Sequence, residues 1–334
     1  MDATAYRDVH AHDGALIERG HRDELDTCAI RARDVELFAA LRRHKFLTTP
    51  QLLELRWGDS SGQAGRRRLV QLFRAGYIDR LRPFAKRGSY PWTYHLGRAG
   101  HQVLQRAGIV PAAERHATRE VYDYRYVLHE LHLNAWVLAW RRLLRGNLLT
   151  WAGETQIDPP LGMRSPQLRL DERVSVEGLK DPKAKLLRPD DLLVVARPDG
   201  GERTFLIEYD RTRRVDKNFE KFRRYDGFAC WWWRHTSYVD AGELPYVVFV
   251  CQDEEHRDLF LGAADLELRG YHWDPSAPLA EHYFAGREQI VFVVDGQMQR
   301  GEAVAYRVAP FPPGHAARTG KDAQVRGVRL PRST

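Results

Sequence analysis

The stretch FLIEYDRTRR, residues 205–214, constrains the fold more tightly than any other part of the chain. Three apolar residues run straight into Glu208 and Asp210, and arginines follow. In a strand, residues two apart share a face, so both carboxylates stand together at the end of a buried segment. Carboxylates in that position need a partner. A divalent metal is one, and an internal ion pair with Arg211, Arg213 or Arg214 is another.

The neighbouring segments suit an α/β order. Leu192 to Ala196 and Thr204 to Tyr209 are expected strands joined by the turn ARPDGGE, which makes them a hairpin. The stretch DKNFEKFRRYDGF is an expected helix with Lys217, Lys221 and Arg224 on one face. The apolar run LPYVVFVCQ fits a strand buried within a sheet. Upstream, YVLHELHLNAWVLAWRRLL spaces Val127, Leu131, Ala135 and Leu138 as a long helix, and LLTWAGETQI is a first strand. The expected fold class is therefore α/β with a mixed central sheet for this half, and α+β for the chain as a whole.

The charge distribution separates the first half from the second. The chain carries a net charge of +7, yet residues 31–107 hold 16 Lys and Arg against 5 Asp and Glu, a local +11 that leaves −4 elsewhere. Such asymmetry is the footprint of a nucleic-acid-binding module. Within that segment Val35, Leu37, Phe38 and Leu41 follow a candidate cap at Asp34, and Thr49-Pro50 opens a second short helix. A third helix follows Ser60 or Ser61, buries Leu69, Leu72 and Phe73, and stops at Gly76. YIDRLRPF and SYPWTYHL then form a hairpin with Lys86 and Arg87 at its tip, and Arg98 to Ala107 is a closing helix. Three helices and a basic hairpin give the winged helix-turn-helix order, in which the third helix enters the major groove and the wing meets phosphates. Arg66, Arg67, Arg68 and Arg74 on that helix, with Lys86 and Arg87, are the expected contacts to double-stranded DNA.

In the second half, Asp190 opens one strand of the hairpin and Glu208 ends the other, an arrangement that resembles the PD-(D/E)xK nucleases, the restriction-endonuclease-like fold. Carboxylates on adjacent strands can converge on Mg2+ or Mn2+, which polarises a scissile phosphate and activates water. A lysine two residues beyond the second acid completes that pattern, and here Asp210 occupies the place. Lys221 on the following helix is the candidate replacement, and Glu154 the candidate third metal ligand beside Asp190 and Glu208.

A basic winged helix, then W-x-x-E (Trp151 to Glu154), a PD strand, E-x-D-R (Glu208 to Arg211) and K-x-x-x-Y (Lys221 to Tyr225), resembles the replication-relaxation family over roughly residues 34–294. The family phrase E-V-D-R-G-T stands here as EYDRTR. Tyr209, between the two acids, is expected to point away from them. The resemblance implies a DNA-binding protein of a plasmid, phage or integrative element that acts in replication, relaxation or mobilisation. It also implies a relaxase or replication protein as partner, with a homodimer open, and does not decide whether the second domain cuts DNA or is an inactive nuclease fold.

The expected layout is a flexible tail over 1–30, the winged helix over 31–110, a linker over 111–121, the nuclease-like domain over 122–307 and a flexible basic tail over 308–334. Three scattered cysteines, with neither a long apolar run nor a leader-like N-terminus, suit a cytoplasmic protein without membrane contact. HELH lacks the second zinc-binding histidine because position 133 is leucine. The tyrosines of YDYRY are candidate nucleophiles for a relaxase-like alternative, the HAH at 10–12 resembles a relaxase histidine pair, and Trp231 to Trp233 suit core packing or base stacking. A non-catalytic regulator, whose α/β half dimerises or binds a partner, is the remaining alternative.

Overall fold

The computed structural model describes residues 17–22, 25–58, 62–83, 90–116, 124–153, 187–211, 215–230, 233, 243–270 and 284–332. The chain divides into two compact units, Met1–Leu138 and Ala139–Thr334. Together they are a mixed α/β structure with two sheets.

In the first unit, helix α1 (Ala32–His44) starts from Arg31 in extended conformation, so Asp34 is not its cap. Asp34 lies one turn in, where its Oδ2 accepts the Arg31 backbone N–H at 2.8 Å. Helix α2 (Thr49–Trp57) is capped by Thr48, one residue earlier than spacing suggests. Thr48 and Gln51 exchange side-chain and backbone bonds in a capping box, an arrangement that composition alone does not rank above Thr49. Helix α3 (Gly62–Arg74) ends as expected at Gly76, whose φ of 74° suits glycine. There Gly76 N–H donates to Phe73 O and Tyr77 N–H to Leu72 O, the Schellman pattern. Ser60 and Ser61 lie outside the described residues.

Strands β1 (Ile17–Arg19), β2 (Leu47–Thr48), β3 (Ile78–Pro83) and β4 (Thr93–Leu96) form an antiparallel sheet in the order β1-β3-β4-β2. Helix α4 (Arg98–Arg106) follows the hairpin. Leu37, Phe38, Leu52, Leu69, Leu72 and Ile78 fill the core between α1, α2, α3 and β3. Residues 17–19 correct the expectation of a flexible tail over 1–30. Ile17 pairs with Pro83, and the Arg82 guanidinium grips both Glu18 oxygens, a short partnership too brief for periodicity to reveal.

Helix α5 (Tyr124–Leu144) contains the boundary between the units. The second unit adds β5 (Leu148–Trp151), β6 (Asp191–Ala196), β7 (Glu202–Tyr209), α6 (Val215–Cys230), β8 (Tyr246–Cys251), α7 (Glu254–Glu267), α8 (Ala285–Gln289), β9 (Ile290–Val294), α9 (Asp295–Gln299), β10 (Val304–Arg307) and β11 (Arg326–Arg329). Its sheet runs β11-β10-β9-β8-β7-β6-β5, with β7, β8 and β9 parallel and the other pairs antiparallel. Both faces are covered, which is why β7 and β8 read as near-continuous apolar runs. On one face Leu206 packs with Phe222 of α6 and Phe260 of α7. On the other, Phe205 meets Trp140 of α5 edge to face, with centroids 4.9 Å apart.

The segment expected as a flexible basic tail over 308–334 is also corrected. β11 pairs along β10, and Arg318 and Arg326 reach Asp265 on α7 and Glu288 on α8, at 2.6 and 2.7 Å. Buried Arg287 donates to Asp265 and to the backbone oxygens of Leu268 and Ala309. A count of Pro, Gly and Arg sees neither the open backbone of β10 nor these acids.

Arg68 ties α3 to the start of α1. Its guanidinium bonds both oxygens of buried Asp34 at 2.5 and 3.0 Å, and also Ala29 O. Removing one partner strands a buried charge, so Arg68→Ala should cost about 2–3 kcal/mol in urea unfolding. Exposed Arg67→Ala should cost less than about 0.5 kcal/mol. Equal losses in the two variants would refute this assignment.

Candidate functional site

The hairpin register builds the site. Asp191 pairs with Ile207, so one step further sets Asp190 opposite Glu208. Side chains of such a pair stand on the same face about 5 Å apart, and like charges there repel. Two features answer that repulsion. Asp190 Oδ2 accepts the Tyr209 N–H at 2.8 Å, closing the end of the hairpin. Lys221 Nζ lies 2.5 Å from Glu208 Oε2, and Tyr225 donates its hydroxyl to Oε1 at 2.6 Å. Lys221 and Tyr225 are one turn apart on α6, so a single helix face holds both oxygens of Glu208.

Glu208 is only 3% exposed. Burial, reinforced by the Asp190 charge, pushes its carboxyl up to about 7 against the pull of Lys221 and Tyr225. Burial would lower Lys221, but Glu208, Asp190 and Asp210 outweigh it and raise the ammonium. A positive charge thus reaches Glu208 from the helix, at Lys221, thirteen residues further along the chain.

Asp210 shares its face with Glu208 but meets a different helix. Its N–H continues the ladder to Val250 O, and its Oδ1 lies 3.9 Å from His256 Nε2 on α7. Tyr209 turns to the opposite face as expected, donating to Asp295 Oδ2 at 3.2 Å. Sequence reasoning overlooked Asp191, which is wholly buried and accepts from Trp151 Nε1 and from the Gly153 and Leu192 N–H groups. Its role is to lock β6 to the end of β5. Alternation along β6 could have separated it from Asp190, since the two point to opposite faces.

Two opposed carboxylates with an excess of negative charge suit a hard cation such as Mg2+, which binds through one or two carboxylates and keeps several waters. Among the described residues no group of three or more His, Cys, Asp or Glu is placed to hold a metal, so a closed protein cage does not fit. Glu154 lies outside the described residues.

On α3, Arg66, Arg67 and Arg74 are exposed, whereas Arg68 belongs to the Asp34 pair and leaves the expected DNA-contacting set. Gln63 and Gln71 are also exposed, and with Arg67 and Arg74 they form a stripe at spacings of four, four and three. Glutamine and arginine are the side chains that read adenine and guanine edges, a signal that counting charge passes over. Lys86 and Arg87 lie outside the described residues, as do Tyr122, the HAH at 10–12, Trp231 and Trp232. Tyr124 is buried and bonds Thr93 Oγ1 at 2.6 Å, a packing role; Tyr126 is exposed. Trp233 packs on the core beside α6. No described helix is long and apolar enough to cross a membrane.

A family model described as replication-relaxation matches residues 38–240. No curated protein and no solved structure matches the chain.

The elevated Glu208 carboxyl has a consequence for stability. Its folded pKa exceeds the ordinary value of 4.5, so the folded state holds the extra proton and loses stability as pH rises from about 4.5 to about 7. Buried Asp226, raised to about 6, adds in the same direction. In chelator, urea unfolding across pH 5 to 8 should show this decline, and Glu208→Gln should flatten it. A slope unchanged by that substitution would refute the electrostatic assignment.

Proposed function

This chain belongs to the replication-relaxation family, and from that premise we propose that it is a DNA-binding protein acting in replication, relaxation or mobilisation of a plasmid, phage or integrative element. The first unit is the DNA-binding module, a winged helix that lays α3 in the major groove. Arg67 and Arg74, flanked by Gln63 and Gln71, face base edges, and Arg66 meets phosphate. The partner is double-stranded DNA.

The second unit is a nuclease-like domain acting on that DNA. The observation that carries this reading is the acid, acid, lysine cluster of Asp190, Glu208 and Lys221 on an antiparallel hairpin and the helix after it. Asp190 and Glu208 supply hard oxygens for Mg2+ or Mn2+. A cation bound there would polarise the scissile phosphate and lower the pKa of an attacking water. Lys221 brings a positive charge to the oxygens of Glu208, where it can orient that water and offset charge gathering on phosphate. Tyr225 fixes the Glu208 rotamer, so that carboxylate cannot swing with the motion of the lysine.

A second reading has its own support. Both Glu208 oxygens are already satisfied by Lys221 and Tyr225, as they would be in a nuclease fold retained for structure. The protein would then bind DNA without cutting it.

Supercoiled plasmid separates the two. With Mg2+ or Mn2+ the wild type should nick it, and chelator, Asp190→Ala, Glu208→Ala or Lys221→Ala should each abolish nicking while leaving DNA affinity near wild type. Unchanged plasmid with retained, salt-sensitive binding would favour the non-catalytic reading. In a separate duplex-binding titration, Arg67→Ala should weaken affinity roughly tenfold, since a good base contact is worth about 1–3 kcal/mol. Unaltered affinity would refute docking through α3.

A further inference from the structure

Alternation along β3 turns Leu81 inward, where it packs with Phe46 and Tyr124, and turns Arg80 and Arg82 to the other face. On that face Trp92, just before β4, stands against both, with each guanidinium 4.3 Å from the centre of its ring. Arg80 also lies 4.2 Å from the ring of Phe73, so the basic face continues onto α3. Strand β1 lies across it. The register sets Glu18 opposite Arg82, whose guanidinium fork donates to both carboxylate oxygens at 2.7 and 2.8 Å. That bond, helped by the charges of Arg82 and Arg80, holds the Glu18 carboxyl below its usual range. Gly20 N–H then donates to Arg80 O at 3.0 Å. A Cβ on Gly20 would fall 2.6 Å from Arg80 Cγ and 2.7 Å from the Phe73 ring, so β1 comes this close only with glycine there. Arg22 anchors the segment by donating to Phe73 O, Ile78 O and Asp79.

We propose that β1 is a self-blocking strand, and that Glu18 holds on Arg82 the place of a phosphate of duplex DNA. The proposal rests on the reading of the first unit as the DNA-binding module. An arginine fork accepts carboxylate and phosphate alike, making two parallel N–H bonds to either. The ring contact with Trp92 serves both states, so only the anion is exchanged.

The Glu18 side chain is 41% exposed and belongs to a strand of three residues, so releasing it costs little. Arg22 keeps the segment in place meanwhile, and the tethered carboxylate returns to Arg82 when DNA leaves. A phosphate on Arg82 positions the protein without reading sequence. Glu18 therefore sets how tightly DNA is held, and leaves which DNA is held to α3.

Fluorescence anisotropy of a labelled mixed-sequence duplex, titrated with the full chain at several salt concentrations, tests this. Glu18→Gln should tighten binding roughly two- to fivefold, the worth of an exposed ion pair. Arg82→Ala should weaken binding alike for duplexes of different sequence and lower the slope of log affinity against log salt by about 1. In the Arg82→Ala background, Glu18→Gln should add nothing, because the two residues act through one contact. A gain that persists in that background, or no gain from Glu18→Gln while Arg67→Ala still weakens affinity, would overturn the inference and leave the DNA-binding reading standing. A wild type that binds no duplex would overturn both.

Discussion

Asp190 and Glu208 repel each other across the β6–β7 hairpin, and much of the second unit is arranged around that repulsion. Moving either acid by one residue would carry it to the other face of the sheet, because strand register has a period of two. The register that sets Phe205 against Trp140 of α5 therefore also commits Glu208 to the α6 side. Lys221 and Tyr225 then follow from the helical period, one turn apart, each reaching one oxygen. Beneath them Phe222 sits 5.0 Å from Phe249 and 5.8 Å from Phe292 between ring centroids, so the helix bearing the lysine rests on a rigid aromatic layer.

If the second unit is the nuclease-like domain proposed above, this arrangement accounts for Asp210 standing where that pattern has lysine. The strand position is only one route by which an ammonium can reach the carboxylate. A helix that crosses the end of the strand offers another, provided its face is in phase. On the proposed nuclease-like reading Lys221 takes that role and position 210 is released; its acid lies 3.9 Å from His256 on α7.

The elements legible in the sequence were those with apolar periodicity or clear cap and turn signals: α1 to α6, the β3–β4 and β6–β7 hairpins, β5 and β8. Their contacts depend on burial, which composition records. Lys221 was legible as a candidate because it lay on a helix following the acids; its contact with Glu208 was not, because that depends on how α6 crosses the sheet. Asp191 and Asp190 are adjacent in sequence and opposite in role, a distinction made by the β5 partner Trp151. Short pairings at sheet edges, β1 and β11, escaped because backbone hydrogen bonds leave little trace in residue type. Arg68 looked like its neighbours for a similar reason: its partner is 34 residues away.

The Arg68–Asp34 pair also changes what the RRR run means for divergence. Three identical residues in a row invite the view that the positions are interchangeable, yet only 66 and 67 face outward. On the proposed reading of α3 as the DNA-contacting helix, drift at 63, 67 and 74 retunes those contacts without disturbing the Arg68–Asp34 pair, whereas Gln71 also accepts from Arg68 at 3.1 Å. Position 68 is tethered to position 34, so among descendants of this chain those two should change in concert or not at all.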